Sequence, residues 1–294
     1  MTSTPQYPPT EPETGPAEPG NEPTEPQTGP GEPDTGLAAD LDLALRLAEL
    51  ADGVTTGRFR SADLVVRSKP DLTPVSDADQ AVEQLIRQRL ATARPADAFC
   101  GEESGTAGSG PRRWVLDPID GTKNFVRGVP VWASLLALMV DDDPVLGVVS
   151  APALGQRWWA ARGRGAFCSS FGEPPRRLQV SRVGRLADAS LSYASLSGWA
   201  EQGRQDALLE LIGQVWRSRA YGDFWSYMLL AEGAVDLAAE PELSLWDMAA
   251  LAPIVTEAGG RFTGLNGVDG VQQGNAAASN GLLHEALLAA LAQH

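Results

Sequence analysis

The chain has little of what several chemistries require. Its 294 residues hold two histidines, His284 and His294, both at the C-terminal end, so serine–histidine and phosphohistidine mechanisms lack their central group. The two cysteines, Cys100 and Cys168, stand apart, without the paired spacing of a disulfide framework or a zinc site, and both are expected reduced in or near the core. Neither has the arginine six positions on that a cysteine phosphatase uses, since Thr106 and Pro174 occupy those places. No Walker loop is present. No apolar run approaches the roughly 20 residues of a membrane span, and the basic and apolar segments of a signal peptide are missing, so a cytoplasmic protein is expected. Lysine and arginine total 23 against 38 acids, a formal charge of −15, which disfavours duplex DNA as a partner.

Residues 1–36 have no lysine or arginine, and only Met1, Tyr7 and Ala17 are apolar. What fills them instead is proline, glycine and acid: Glu11, Glu13, Glu18, Glu22, Glu25, Glu32 and Asp34. Such a segment cannot bury enough surface to offset the entropy of ordering it, and it reads as a disordered, solvating Pro/Glu-rich tail of extended conformation. Taking its seven acids from the formal −15 leaves −8 for residues 37–294.

Residues 37–294 suffice for one large domain, or two closely joined halves of about 37–180 and 181–294. A helix is expected over residues 40–60, capped by Asp40, with Leu41, Leu45, Ala48 and Val54 on its apolar face and Leu43, Leu47 and Leu50 widening it. Residues 61–76 read as a loop, punctuated by Pro70 and Pro74. A second helix is expected over 77–93, with Ala78, Val82, Leu85, Ile86 and Leu90 inward. Strand patterns follow at 98–100, 114–116, 131–140, 145–150 and 156–160. Further on come strands at 178–180, 190–193 and 235–239. Helices are expected at 205–217, 223–232, 247–258 (ended by Gly259-Gly260) and 282–292. Strands and helices in mixed order imply an α/β (α+β) layered sandwich, mixed sheets with flanking helices. Trp114, Trp132, Trp158, Trp159 and Trp225 read as core filler, although Trp132 or Trp158 also suits a pocket wall or subunit seam.

The chemistry concentrates in three acidic stretches: Gly101-Glu102-Glu103-Ser104, Asp117-Pro118-Ile119-Asp120-Gly121-Thr122 and Trp246-Asp247. Each follows a strand-like run or opens a helix, so its carboxylates sit at element ends. Hard divalent cations such as Mg²⁺ take oxygen ligands and leave room for water and phosphate, and carboxylates converging from separate loops are their signature. Pro118 fixes a turn in which both aspartates and the Ile119 carbonyl can face one point. If a helical turn starts after Gly121, free N–H groups there suit a phosphate oxyanion. Taken singly, Asp120-Gly121 is also an ordinary turn, Glu102-Glu103 a solvated loop and Asp247 a helix cap. Asp117 and Asp120 stand three apart, not in the Asp-x-Asp spacing of aspartyl-phosphate phosphatases. Hydrolysis by metal-activated water remains.

These blocks, together with residues 69–79 and Thr256-Glu257-Ala258-Gly259-Gly260, resemble the signature motifs of the inositol monophosphatase family over about residues 40–293. The resemblance implies that Glu102, Asp117, the Ile119 carbonyl, Asp120 and Asp247 bind two Mg²⁺ ions, with Asp79 helping to hold a third through water. It implies that Thr122, supported by Glu102, orients the attacking water, that the Gly121 and Thr122 amides hold phosphate, and that Lys69 lies in a loop covering the metals. A small-molecule phosphate monoester as substrate and a homodimer are further expectations.

Within the family, residues 126–134 and 241–246 look most like the bacterial branch that hydrolyses histidinol phosphate, a step of histidine biosynthesis. That substrate carries an ammonium and an imidazole, which extra carboxylates suit. Asp223, Glu240 and Glu242 fall near positions that contact the leaving group in family members and are nominated as substrate recognisers. For Asp223, helix capping is the plainer alternative. Inositol-1-phosphate, fructose bisphosphate and phosphoadenosine phosphate are the competing substrates. A binding protein that kept the fold without turnover would have lost a ligand or Thr122, and all are present.

Overall fold

In the computed structural model, which describes residues 35–70 and 72–292, the first helix, α1 (Thr35–Arg58), starts ahead of the expected cap at Asp40. The predicted tail lies outside the described residues except for Thr35 and Gly36, which open α1. Asp40 is therefore inside the helix, 3% exposed, and accepts from Arg94 Nε and Arg112 Nη2, each at 2.8 Å. The buried face of α1 is Leu43, Ala44, Leu47, Ala48 and Ala51, whereas Leu41, Leu45 and Val54 are half-buried and Leu50 is exposed. The helix packs on a second helix and a sheet at once, and that double contact selects the stripe carrying the small alanines.

Where a plain loop is expected, a hairpin of β1 (Val66–Ser68) and β2 (Pro74–Ser76) forms, Val66 opposite Ser76. Three-residue strands carry too little alternation to be read from sequence. Helix α2 (Asp77–Ala93) matches its expected span and is started by a capping box in which Ser76 N donates to Asp79 Oδ2 at 2.8 Å.

The chain continues through β3 (Ala98–Gly101), β4 (Gly105–Ala107), β5 (Arg112–Asp120), helix α3 (Thr122–Arg127), β6 (Ala133–Val140), β7 (Asp143–Ala151), β8 (Gln156–Ala161), β9 (Gly165–Ser170) and β10 (Arg176–Arg177). These strands form one sheet in the order β10-β9-β8-β7-β6-β5-β3-β4, antiparallel except for β3 beside β5. The strand expected at 178–180 is displaced: pairing stops at Arg177, and Val180 N instead donates to Ala258 O at 3.0 Å.

Next come β11 (Ser190–Tyr193), α4 (Leu196–Glu201), α5 (Gln205–Gln214), β12 (Arg217–Arg219), α6 (Asp223–Ala231), β13 (Leu237–Glu240), α7 (Leu245–Met248), α8 (Leu251–Glu257), β14 (Arg261–Thr263), β15 (Ala276–Ser279) and α9 (His284–Leu291). They build a second sheet ordered β12-β11-β13-β15-β14, with β11 parallel to both its neighbours and β15 antiparallel to both. The single helix expected over 247–258 is two pieces. Pro253 has no N–H for the Ala249 carbonyl and its ring crowds it, so the helix breaks there.

Alternation along the strands sets the layers. On β5 and β6, Trp114, Leu116, Leu136 and Leu138 pack against Leu47 of α1 and Ile86 of α2. Their neighbours Val115, Leu135 and Ala137 face the other way, against Tyr227 of α6 and Ile254 of α8. The same central layer meets Ala238, Ala278 and Phe262 of the second sheet, whose opposite face packs on Trp199, Leu208 and Leu287 of α4, α5 and α9. The order is helix, sheet, helix, sheet, helix, an α/β layered sandwich, with each large buried aliphatic contributing about 1.5–3 kcal/mol. Trp132 and Trp158 are fully buried. Cys100 and Cys168 are buried and unbridged. Among the described residues no helix is long and apolar enough to cross a membrane.

Candidate active site

The end of β5 supplies the centre of the site. Pairing with β6 runs to Asp117 opposite Leu135, then slips before Asp120 opposite Ala133. Pro118 has no N–H to give a ladder, so a bulge there costs little. Ser134 Oγ donates to the Pro118 carbonyl at 2.6 Å, and Asp117 Oδ1 accepts from Ile119 N at 3.0 Å, which pins the bulge from both sides. Gly121 follows at φ 80°, a left-handed turn suited to glycine, and α3 starts at Thr122.

Asp247 arrives from α7, oriented by its own capping box in which Ser244 N donates to Asp247 Oδ2 at 2.7 Å. Carboxylate oxygens of Asp117, Asp120 and Asp247 all lie within 4.8 Å of one another. Glu102 stands one residue beyond β3, its N–H on the Leu116 carbonyl at 3.2 Å. Lys69, in the turn of the β1–β2 hairpin, places Nζ 2.6 Å from Glu102 and 2.7 Å from Glu103. Lys69, Glu102 and the three aspartates line a cleft of about 750 Å³ together with Thr122, Asp223, Tyr221 and Trp246.

The electrostatics are dominated by unrelieved negative charge. Burial, then the charges of Glu102, Asp120 and Asp247, pushes the Asp117 carboxyl well above its ordinary range. Burial, with Asp223 and Asp247 adding to it, does the same to Asp120. Asp247 is raised to about 7, chiefly by burial. Among the described residues no lysine or arginine pairs with any of the three. Hard oxygen donors crowded this closely, without a cationic side chain, fit a divalent cation.

Not every expected residue meets the cleft in the same way. The Thr122 hydroxyl donates to the Ile119 carbonyl at 2.9 Å, while Glu102 is engaged by Lys69. Asp79 is fully buried outside the cleft lining; Oδ2 accepts from Ser76 and Oδ1 has no partner among the described residues, and burial, with the Glu103 and Glu102 charges, raises it to about 6. Asp223 is the first residue of α6, held at φ 49°, and it lines the cleft. Glu240, the last residue of β13, is buried and absent from the cleft lining, raised well above its ordinary range by burial and by Asp223 and Asp247. Glu242 is exposed on the surface, bonded to Gln202 at 2.8 Å, outside the cleft lining.

Asn124 was not singled out from sequence. Its amide donates to Val131 O at 2.9 Å and to Asp223 Oδ2 at 3.2 Å, tying α3 to α6 across the cleft. Phe224 N donates to Asp120 Oδ2 at 2.6 Å, a second tie between the same elements. The signal available for Asn124 was its place in the run Asp120-Gly121-Thr122-Lys123-Asn124.

The sequence profile of the inositol monophosphatase family matches residues 32–294. The chain is similar to a histidinol-phosphatase of Streptomyces coelicolor, 63% identical over 258 residues, covering 86% of this chain and 97% of that protein. It is similar to a histidinol-phosphatase of Mycobacterium tuberculosis, 60% identical over 254 residues, with the same coverage of each. Among solved structures it resembles extragenic suppressor protein SuhB from Bartonella henselae, at TM-score 0.79 and 30% identity, covering 86% of this chain and 98% of that one.

Proposed function

The chain belongs to the inositol monophosphatase family and is a phosphoric monoester hydrolase, and from that premise we propose that it hydrolyses histidinol phosphate to histidinol and phosphate with Mg²⁺. The observation that carries the reading is the meeting of Asp117, Asp120 and Asp247 within 4.8 Å, with no lysine or arginine paired to any of the three among the described residues, beside the Glu102–Lys69 ion pair. The resemblance to two histidinol-phosphatases at 60% identity or more supports the choice of substrate.

In this reading Glu102, Asp117, the Ile119 carbonyl, Asp120 and Asp247 hold two Mg²⁺ ions, and Asp79 assists a third through water. Bound Mg²⁺ supplies positive charge that acidifies a water and neutralises the leaving oxygen. Thr122 and Glu102 orient that water, and the Gly121 and Thr122 amides, which have no intrahelical acceptor, hold phosphate oxygens. Lys69 keeps Glu102 aimed into the cleft. Asp223 pairs with the cationic leaving group, and the buried Glu240 carboxyl near it is the second nominated recogniser of that group. The expectations of a homodimer and a cytoplasmic location belong to the same reading; the buried, unbridged cysteines suit a reducing compartment.

Phosphate release from histidinol phosphate, inositol-1-phosphate, fructose-1,6-bisphosphate and phosphoadenosine phosphate, each with Mg²⁺, tests the substrate. Histidinol phosphate is expected to lead by at least about tenfold in kcat/KM. Inositol-1-phosphate leading by that factor would overturn the choice.

A further inference from the structure

Helix α2 lies behind the loop that carries Glu102, and one of its side chains grips that loop from within. Glu83 is 3% exposed. Its Oε2 accepts from Glu103 N at 2.8 Å and its Oε1 from Ser104 N at 2.7 Å. Both carboxylate oxygens are thus spent on consecutive amides immediately after Glu102, and among the described residues no lysine or arginine pairs with Glu83. On the other side of Glu102, Gly101 leaves the space the clamp needs: a Cβ there would stand 2.4 Å from Glu83 Cδ and Oε2. Glu102 itself is anchored at its N–H to Leu116 O. One helical turn earlier, Asp79 fastens Ser76 at the end of the hairpin that presents Lys69. The first turns of α2 therefore hold both segments that meet in the Lys69–Glu102 ion pair.

We propose that Glu83 is a positioning residue: through the Glu103 and Ser104 amides it fixes the Glu102 carboxylate where the cleft takes up its cation. The inference rests on the metal-dependent phosphatase reading above. Glu83 is absent from the cleft lining and serves Glu102 only through backbone. Its chemistry suits the task, because a carboxylate offers acceptors to two converging N–H donors and makes charge-assisted bonds. Glutamine of the same size offers one acceptor and turns an NH₂ group against the other amide. Groups that orient a ligand in this way commonly change metal affinity or activity by about 10–100-fold when altered.

The test is Glu83→Gln in the full-length protein, read by Mg²⁺ calorimetry on metal-stripped samples and by amide hydrogen exchange. Mg²⁺ affinity is expected to fall by about tenfold or more. Exchange is expected to quicken across residues 101–104 while α9 and the second sheet keep their protection, a pattern that general destabilisation would not give. At saturating Mg²⁺, the KM for histidinol phosphate is expected within about twofold of wild type, since the substrate's own contacts are untouched. Gly101→Ala, which keeps the carboxylate but displaces it, is expected to reproduce the loss, and the double variant to be no worse than either. Where Glu83→Gln does not fold, Gly101→Ala carries the test. A folded variant that binds Mg²⁺ with wild-type affinity overturns the proposal. A wild type that binds no Mg²⁺ overturns both the proposal and the metal reading, whereas one that binds Mg²⁺ without hydrolysing histidinol phosphate overturns the substrate alone.

Discussion

Two groups of buried carboxylates in this domain have opposite surroundings. At the outer end of α1 and α2, Asp40 is bonded to Arg94 and Arg112, and Asp97 to Arg112 and the Trp114 indole N–H. Every charge there has a partner of opposite sign or a donor aimed at it. In the cleft, Asp117, Asp120 and Asp247 face one another, and among the described residues backbone N–H groups, not guanidinium or ammonium groups, donate to them. A buried carboxylate met by guanidinium fastens the fold; one left facing its own kind is costly unless a cation arrives. The difference separates scaffold from site without reference to any motif.

The largest effect that sharpens this contrast is expected from Asp117→Asn. Removing a charge at the centre of the cluster should lower kcat/KM by about 10³-fold, while the melting temperature in chelator stays level or rises because repulsion is relieved. Kinetics and thermal melts on the same preparation check it. Next in size, Asp223→Asn is expected to weaken kcat/KM for histidinol phosphate by about tenfold, mostly through KM, and to affect inositol-1-phosphate less. Glu242→Ala, on the exposed surface, should stay within about twofold.

The scaffold group should answer in the other direction. Asp40→Ala is expected to cost about 2 kcal/mol of stability, toward the low side for a buried pair because Arg94 and Arg112 remain about a third exposed, with kcat unchanged at temperatures below melting. Denaturant unfolding measures it. Stability should also answer to pH. Asp79 and Asp247, raised to about 6 and about 7 with burial the leading cause, keep protons in the folded chain that they lose when unfolded. Their contribution is complete below the ordinary carboxyl range and is lost as pH rises toward 7, so in chelator the protein should melt roughly 5 °C higher at pH 5 than at pH 8. Excess Mg²⁺ should flatten or reverse that slope.

Much of the site is legible in the sequence because its pieces are local. Asp117, Ile119, Asp120 and Thr122 occupy one turn, and a bulge at Pro118 is what such a run encodes. The layered fold follows from the order of strand and helix patterns, and α2 from its cap and period. Other features depend on distant contacts. Asp40 looks like a cap until Arg94 and Arg112 are brought to it. Of Asp223, Glu240 and Glu242, nominated together from sequence, the bond from Asn124 of α3 ties Asp223 of α6 at the cleft, while Glu242 turns outward to Gln202. Glu83 is silent in sequence, one polar residue on a helix whose partners are backbone amides a score of positions away. The break between α7 and α8 was written in Pro253, and the short hairpin strands β1 and β2 have no pattern to read.

Calorimetric titration of Mg²⁺ into the metal-stripped protein and into Asp117→Asn tests most directly whether the uncompensated carboxylates form a cation site. Saturable binding to the wild type, lost or weakened by about 100-fold in Asp117→Asn, is the expected result. Equal binding to both proteins, or none to the wild type, would contradict it.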